Sequence, residues 1–235
     1  MEPDAYREMA ATEGRHWWFA GRRTILASLI ERLGLPARAD ILELGCGTGG
    51  NLDMLARFGE VRAMETDDAA RAIALGKTAG RFDIRAGRCP DRIPFTGRRF
   101  DLVCMIDVLE HVEEDVATLE ALRGLLAPGG QVLLTVPANR WMWSKHDEFL
   151  HHKRRYTAGE LRSKAVGAGL RVRTLSYFNT LLFPLAATAR LLNVEGSGVP
   201  PAPLNRLFQT VFSAERWVAG RVPLPFGVSL LAVFR

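Results

Sequence analysis

The residues best suited to binding a charged ligand lie in the segment 41–51, ILELGCGTGGN. An apolar run that contains Glu43 leads directly into Gly45, Cys46 and Gly47. Glycines let the backbone turn sharply and approach a ligand at the carboxyl end of a strand, where open α/β sheets bind ligands. The pattern therefore predicts a ligand-binding turn between a strand and a helix.

The glycine spacing alone leaves two ligand classes open. Gly45, Gly47 and Gly50 also satisfy the dinucleotide fingerprint, and Glu65 falls where such proteins carry a ribose-binding acid. Glu43 separates the two classes, because a carboxylate at the rim of the turn repels a pyrophosphate but suits a ligand that carries an ammonium and a sulfonium. S-adenosylmethionine is therefore favoured over a nicotinamide dinucleotide.

A second group of reactive side chains lies in the segment 141–156, WMWSKHDEFLHHKRRY, which holds three of the five histidines. Methyl transfer to a hydroxyl requires removal of a proton, most often by a histidine or a carboxylate. We predict that His146, oriented by Asp147 or reached through His152, is the general base. The alternative is His111, which follows the fourth predicted strand.

The same histidines raise the question of a metal site. Their spacing matches no recognised ligand motif, and simple methyl transfer needs no metal, so none is expected. Glu110, beside His111, is interpreted as a capping or pairing residue on a helix surface.

Short apolar runs alternate with amphipathic stretches from Ala39 to Leu175, which predicts repeated βαβ units and a parallel sheet. The predicted strands are Ile41–Leu44, Val61–Met64, Phe82–Arg85, Leu102–Ile106, Gln131–Val136, Leu170–Leu175 and Val228–Phe234. The predicted helices are Arg22–Leu33, Asn51–Phe58, Ala69–Lys77, Asp115–Leu126 and Ala158–Ala168. Because parallel strands end at one edge, the glycine turn and the histidine segment should face each other.

We predict one domain over residues 1–235, divided into four parts. These are N-terminal lid helices (1–36), a cofactor-binding core (37–178), a helical insert (179–225) and the last strand (226–235). The apolar stretch of the insert is too short to span a bilayer. Its arginines suggest contact with anionic headgroups while the insert roofs an acceptor pocket; they are Arg190, Arg206, Arg216 and Arg221.

Four ordered motifs resemble the class I S-adenosylmethionine-dependent methyltransferases. They are the glycine-rich segment Glu43–Gly49, the strand-end acid Glu65, the segment Phe100–Val103 with Asp107–Val112, and the turn and strand Leu126–Leu134. The resemblance implies a Rossmann-like α/β fold with a mainly parallel seven-stranded sheet, helices on both faces and a helical insert before the last strand.

The resemblance also assigns donor-binding roles. It implies that Gly45, Cys46 and Gly47 line the methionine portion, that Glu43 orients its amino group, and that Glu65 binds both ribose hydroxyls. The remaining implied contacts are Thr66 beside the ribose, Gly87, Arg88 and Cys89 at the adenine, Ile106 and Asp107 as the floor, and Arg22 at the methionine carboxylate. The chain departs from the family at Arg88, where an acidic residue is common.

A narrower resemblance comes from the N-terminal HWWF segment together with the pattern HD…HHxRRY. Both are similar to a bacterial subgroup of these methyltransferases that is associated with surface glycans and lipid-linked saccharides. The implied acceptor is a small molecule or a lipid-linked molecule, methylated on oxygen. The candidate acceptor contacts are Trp17, Trp18, Trp143, Arg155 and Tyr156, and for Trp17 and Trp18 packing in the core or a lid is the favoured alternative.

Composition bounds the partners and the location. The net charge is +5, but the basic residues are scattered, so no nucleic acid is expected. An RNA-modifying methyltransferase or RNA-binding protein remains the alternative on the same fold. The three cysteines have no CxxC spacing and the N-terminus lacks a signal-peptide pattern. We therefore expect a cytoplasmic protein, with peripheral contact at the inner membrane surface.

Overall fold

A computed structural model describes residues 3–192 and 198–235 of the chain. Its seven strands form one sheet in the order β3-β2-β1-β4-β5-β7-β6, and only β7 runs antiparallel to its neighbours. The strands are β1 Ala39–Leu44, β2 Gly59–Glu65, β3 Asp83–Ala86, β4 Phe100–Ile106, β5 Leu126–Pro137, β6 Val172–Phe178 and β7 Ser229–Phe234. The predicted fold class is confirmed.

Helices flank this sheet. They are α1 Pro3–Thr12, α2 Trp17–Ile30, α3 Leu52–Leu55, α4 Asp68–Lys77, α5 Asp115–Gly124, α6 Lys145–Phe149, α7 Ala158–Gly167, α8 Phe183–Leu191 and α9 Ala202–Ala214. Short polar side chains fix where several helices begin. The Asp67 carboxylate accepts the Ala70 amide at the start of α4, and Thr157 and Glu160 form a capping box at α7.

Three boundaries differ from the predicted ones for local reasons. Helix α2 begins at Trp17 because the His16 ring accepts the Trp18 amide and caps it. Helix α3 ends at Leu55 because the amides of Arg57 and Phe58 bond three residues back, which tightens the chain into a turn. Strand β6 begins at Val172, since the Leu170 amide still bonds to the end of α7.

Successive residues of each central strand point to opposite faces of the sheet and therefore enter two separate cores. On β4, Leu102 and Cys104 join one core, whereas Val103 and Met105 join the other. The first core is covered by α2 and α9, and the second by α5 and α7. Burial on both faces explains why β1 and β4 are almost continuously apolar.

The segment before β7 supplies α8 and α9, which confirms the expected helices within the described part of the insert; residues 193–197 of the insert lie outside it. Helix α9 packs closely on α2, where a Cβ on Gly21 would lie 2.5 Å from the Phe212 ring. No helix within residues 3–192 and 198–235 has the length and apolar content needed to cross a bilayer.

Candidate active site

The glycine turn after β1 is shaped by two close contacts. The Gly45 and Cys46 amides donate to the Met64 carbonyl at 2.8 and 3.1 Å, which ties the turn to the end of β2. Gly45 has a φ of 73°, and a Cβ there would lie 2.7 Å from the Val108 side chain. Only glycine fits this position, and the turn presents backbone at the carboxyl edge of the sheet.

Glu65, at the end of β2, is held by backbone donors. One carboxylate oxygen accepts the Gly47 amide at 2.7 Å, and the other accepts the amides of Thr66 and Asp67 at 2.8 and 3.0 Å. The side chain is 6% exposed. Its carboxylate therefore stands at a fixed point between the glycine turn and the loop after β2.

Glu43 lies beneath the glycine turn, so the predicted position at its rim is wrong. One oxygen accepts the Asn51 amide group at 2.8 Å, and the other has no hydrogen-bond partner among the described residues. Burial raises the pKa of Glu43 to about 7. A cationic group of a ligand would satisfy the second oxygen, so this carboxylate fits an ammonium-bearing molecule.

Asp107, at the end of β4, pairs with Arg22 from α2. The Thr135 hydroxyl donates to the same carboxylate at 2.7 Å, while the Asp107 amide donates to the Thr135 carbonyl at 3.0 Å. The Nε atom of Arg22 has no hydrogen-bond partner among the described residues. Helix α2 and the sheet thus place one basic and one acidic group together at the carboxyl edge.

The residues expected at the adenine lie at the end of β3. The Thr66 hydroxyl donates to the Gly87 carbonyl at 2.7 Å and joins the loops after β2 and β3. Cys89 is buried, and burial raises the pKa of its thiol to about 12. Arg88 is exposed and pairs with Asp91 at 3.1 Å, so the residue that departs from the family pattern points into solvent.

Helix α1 lies across the glycine turn, a contact that the sequence pattern did not reveal. The Met9 methyl is 3.3 Å from the position of a Cβ on Gly47, and the Thr48 hydroxyl donates to Glu13 at 2.7 Å. Burial, with the nearby charges of Glu65 and Asp67, raises the pKa of Tyr6. The N-terminal helix and the residue Glu13 that follows it therefore cover the turn.

The histidine segment after β5 is organised around Asp147, which is fully buried. Arg155 donates hydrogen bonds to both carboxylate oxygens of Asp147 at 2.8 and 3.0 Å, and the Nδ1 atom of His152 lies 2.9 Å from one of these oxygens. Burial by itself favours the protonated acid, but the hydrogen bonds from His152 and Arg155 hold the pKa of Asp147 well below its usual range. Asp147 therefore orients the His152 ring.

His152 in turn meets the turn after β4. Its ring lies edge-to-face with His111, with 4.7 Å between the ring centroids. Burial and the neighbouring His152 lower the pKa of His111 to about 4. Next to them Glu110 is fully buried, so the predicted surface position is wrong, and burial raises its pKa.

Several residues predicted to activate or contact the acceptor do not join the cluster of His111 and His152. His146 is exposed on α6, and its neighbour Asp147 points to His152 instead. Tyr156 is fully buried and its hydroxyl donates to Asp115 at 3.0 Å, a structural contact that corrects its expected acceptor role. The three tryptophans predicted to contact the acceptor lie in different places. Trp17 and Trp18 pack in an aromatic cluster with Phe178 and Phe212, whereas Trp143 is at the surface.

The sequence pattern did not mark Asn51, Thr135 or Glu13 as site residues. Asn51 and Thr135 hold Glu43 and Asp107, and Glu13 pairs with Lys77 and binds Thr48. Asn51 offered a signal, because it follows the glycine turn directly. The other two contacts join segments that are far apart in the chain, so no local pattern marks them.

The chain is similar to known methyltransferases. Residues 18–176 match the model of a family described as a methyltransferase domain. A Mycolicibacterium smegmatis protein named a probable S-adenosylmethionine-dependent methyltransferase is 30% identical over 70% of this chain and 63% of its own length. The trans-aconitate 2-methyltransferase of Variovorax paradoxus is 30% identical over 68% of this chain and 61% of its own length. This chain therefore spans just over three fifths of the length of these two relatives.

A shorter match supports the same assignment. The ubiquinone biosynthesis O-methyltransferase of Xanthomonas axonopodis pv. citri is 33% identical over 43% of this chain and 44% of its own length. A chain from the complex between the Haloferax volcanii Trm112 methyltransferase activator and a methyltransferase aligns over 98% of this chain and 93% of its own, with a TM-score of 0.64 and 19% identity. The chain belongs to the methyltransferase domain family, within the class I S-adenosylmethionine-dependent methyltransferases.

Proposed function

We propose that the chain transfers a methyl group from S-adenosylmethionine to an oxygen atom of a small-molecule or lipid-linked acceptor. The observation that carries this proposal is a shared edge of the sheet. The glycine turn, Glu65 and the turn that carries His111 follow neighbouring parallel strands at their carboxyl ends, and the His111 ring contacts that of His152. The named relatives that act on trans-aconitate and in ubiquinone biosynthesis support a small acceptor.

The donor roles follow from the groups that the edge presents. Glu65 would bind the ribose hydroxyls, and the unpartnered oxygen of Glu43 would bind the amino group of the methionine portion. The Nε atom of Arg22 would bind its carboxylate. The sulfonium supplies an activated methyl group, so the protein mainly has to hold the acceptor in line and exclude water.

The acceptor side needs a group that helps to remove a proton. The contacts favour the His111 and His152 pair over His146, because Asp147 orients the His152 ring and does not bond to His146. His111 follows β4 only a few residues beyond Asp107, which belongs to the proposed donor site, and the His111 ring contacts that of His152. We therefore assign acceptor activation to this pair.

Helix α8 supports a lipid-linked acceptor with peripheral membrane contact. None of its residues is buried, and its exposed side chains include Leu185 and Leu191. Leu181 and Phe226 add to the same apolar surface, since Phe183 contacts the Phe226 ring at 5.4 Å between centroids. An exposed apolar helix of this kind suits the interface of a bilayer.

We expect Glu43→Gln to stabilise the ligand-free protein at high pH. Between about pH 4.5 and 7 the folded chain holds a Glu43 proton that the unfolded chain has lost, so the stability it confers is lost as pH rises through this range. Urea unfolding at pH 8 should give Glu43→Gln a free energy of unfolding roughly 1–3 kcal/mol higher than that of the wild type. This difference should disappear near pH 4.5. The exposed Glu60→Gln is the control; equal stabilities at both pH values would contradict the expected ionisation.

Replacement of Glu65 tests the donor site. Glu65→Ala removes the proposed pair of charge-assisted hydrogen bonds to the ribose and should weaken binding by roughly 2–4 kcal/mol, about 30-fold or more. Calorimetric titration with S-adenosylhomocysteine measures the loss, and Glu60→Ala on the same strand serves as the control. Unchanged affinity, or binding of NAD by the wild-type chain, would rule out the assigned site.

Acceptor activation is tested by a matched pair of substitutions. His152→Asn should lower turnover roughly 10²–10⁴-fold, whereas His151→Asn, at the exposed neighbouring position, should leave it unchanged. Turnover is measured on the product found when labelled donor is supplied with extracts of small molecules and lipids. Near-normal turnover of His152→Asn, or a large loss in His146→Ala alone, would move the role to His146.

Membrane contact is tested at α8. The double variant Leu185→Glu, Leu191→Glu should reduce binding to vesicles of anionic phosphatidylglycerol about tenfold or more, because each charge replaces an apolar insertion. Val166→Glu is the control, since Val166 is 57% exposed and Leu185 is 53% exposed, but α7 and α8 adjoin opposite ends of β6. Absence of wild-type flotation at low salt would refute the contact.

A further inference from the structure

Glu110, His111 and His152 form a cluster that the donor site does not use. One carboxylate oxygen and one nitrogen from each ring lie within 4.8 Å of one another. We propose that these three side chains bind a divalent cation of the Zn²⁺, Co²⁺ or Mn²⁺ class. The ion-binding geometry stands by itself, and its catalytic role rests on the proposed function.

The carboxylate of Glu110 is the strongest observation. The side chain is fully buried, and neither of its oxygens has a hydrogen-bond partner among the described residues. A buried polar group without a partner costs free energy, and an unpaired buried charge costs more. A cation bound to one of these oxygens would compensate the buried carboxylate and would also be within reach of the two rings.

Both imidazole rings are already oriented for this task. The Nδ1 atom of His152 lies 2.9 Å from Asp147, which Arg155 fixes from the other side, so the Nε2 atom keeps its lone pair. His111 in the same way faces the backbone of His151. A second group bound to the far nitrogen is the usual arrangement around histidines that ligate metals.

The chemical types of the three ligand atoms also indicate the kind of ion. Two histidines and one carboxylate, with the remaining positions open, are typical of catalytic sites for transition-metal cations. Ligand atoms at about 2.0–2.2 Å from a tetrahedral cation are separated by about 3.3–3.6 Å. The three ligand atoms lie within 4.8 Å of one another, so side-chain movements of up to about 1.5 Å complete the site.

The position of the cluster gives the cation a chemical role. Glu110 follows Asp107 by one short turn, so the ion would lie beside the donor site on its acceptor side. An acceptor hydroxyl bound there ionises more easily and releases its proton to water. Its oxygen then forms the bond to the methyl carbon as the carbon–sulfur bond breaks, and S-adenosylhomocysteine leaves. The two histidines assist proton removal as ligands.

The test is direct cation binding. The full chain is freed of metal with a chelator and titrated with Co²⁺, Mn²⁺ and Zn²⁺ by calorimetry, with visible absorption of Co²⁺ reporting nitrogen and oxygen ligands. We expect one ion per chain, and a loss of affinity of roughly 100-fold or more in Glu110→Gln and His152→Asn. Asp147→Asn should lose roughly 10–100-fold, and His151→Asn should match the wild type.

Two results would overturn the site. They are absence of cation binding by the wild-type chain at cation concentrations up to about 1 mM, and equal binding by the wild type and Glu110→Gln. Thermal unfolding and binding of S-adenosylhomocysteine by the same samples show whether each variant is folded. Donor binding without cation binding overturns only the cation site, whereas cation binding without donor binding overturns only the proposed function.

Discussion

The carboxyl edge of the parallel strands concentrates acidic side chains in a region from which water is largely removed, and the site depends on how each charge is satisfied. Backbone amides satisfy Glu65, and Arg22 with Thr135 satisfies Asp107. Glu43 has one partner for two oxygens, and Glu110 has none among the described residues. Because a folded chain rarely leaves buried polar groups unpaired, the two incomplete acids mark where ligands should bind.

Local pattern was sufficient to predict the sheet and the glycine turn after β1. Every predicted strand is present, since a buried parallel strand needs an apolar run whatever its neighbours are. Gly45 and Glu65 were recognisable because their roles depend on adjacent residues, a turn with positive φ and the end of a strand. Even here the depth of Glu43 escaped prediction, because it depends on Asn51 and on how the turn folds over it.

The acceptor side could not be predicted to the same degree. The spacing of the histidine segment suggested that Asp147 serves His146, but adjacent residues on a helix point in different directions, and Asp147 turns inward to Arg155 and His152. Glu110 looked like a surface residue because its burial is created by a segment about forty residues later, whose Lys153 amide binds its backbone carbonyl. Contacts of this range leave no periodic trace in the sequence.

The proposed donor and acceptor sides of the site are linked through the turns after β1 and β4. The turn after β4 begins at Asp107, which the donor side holds through Arg22, and ends at His111, which contacts the acceptor side through His152. Val108, between them, packs over Gly45, so the position of the glycine turn and that of the turn after β4 depend on each other. A displacement of either turn would change the separation of the donor and acceptor groups, and displacement reactions are sensitive to shifts of about 1 Å. In the proposed reaction, the close contact of Val108 with Gly45 therefore matters alongside the charged residues, because it ties the glycine turn to the turn that carries His111.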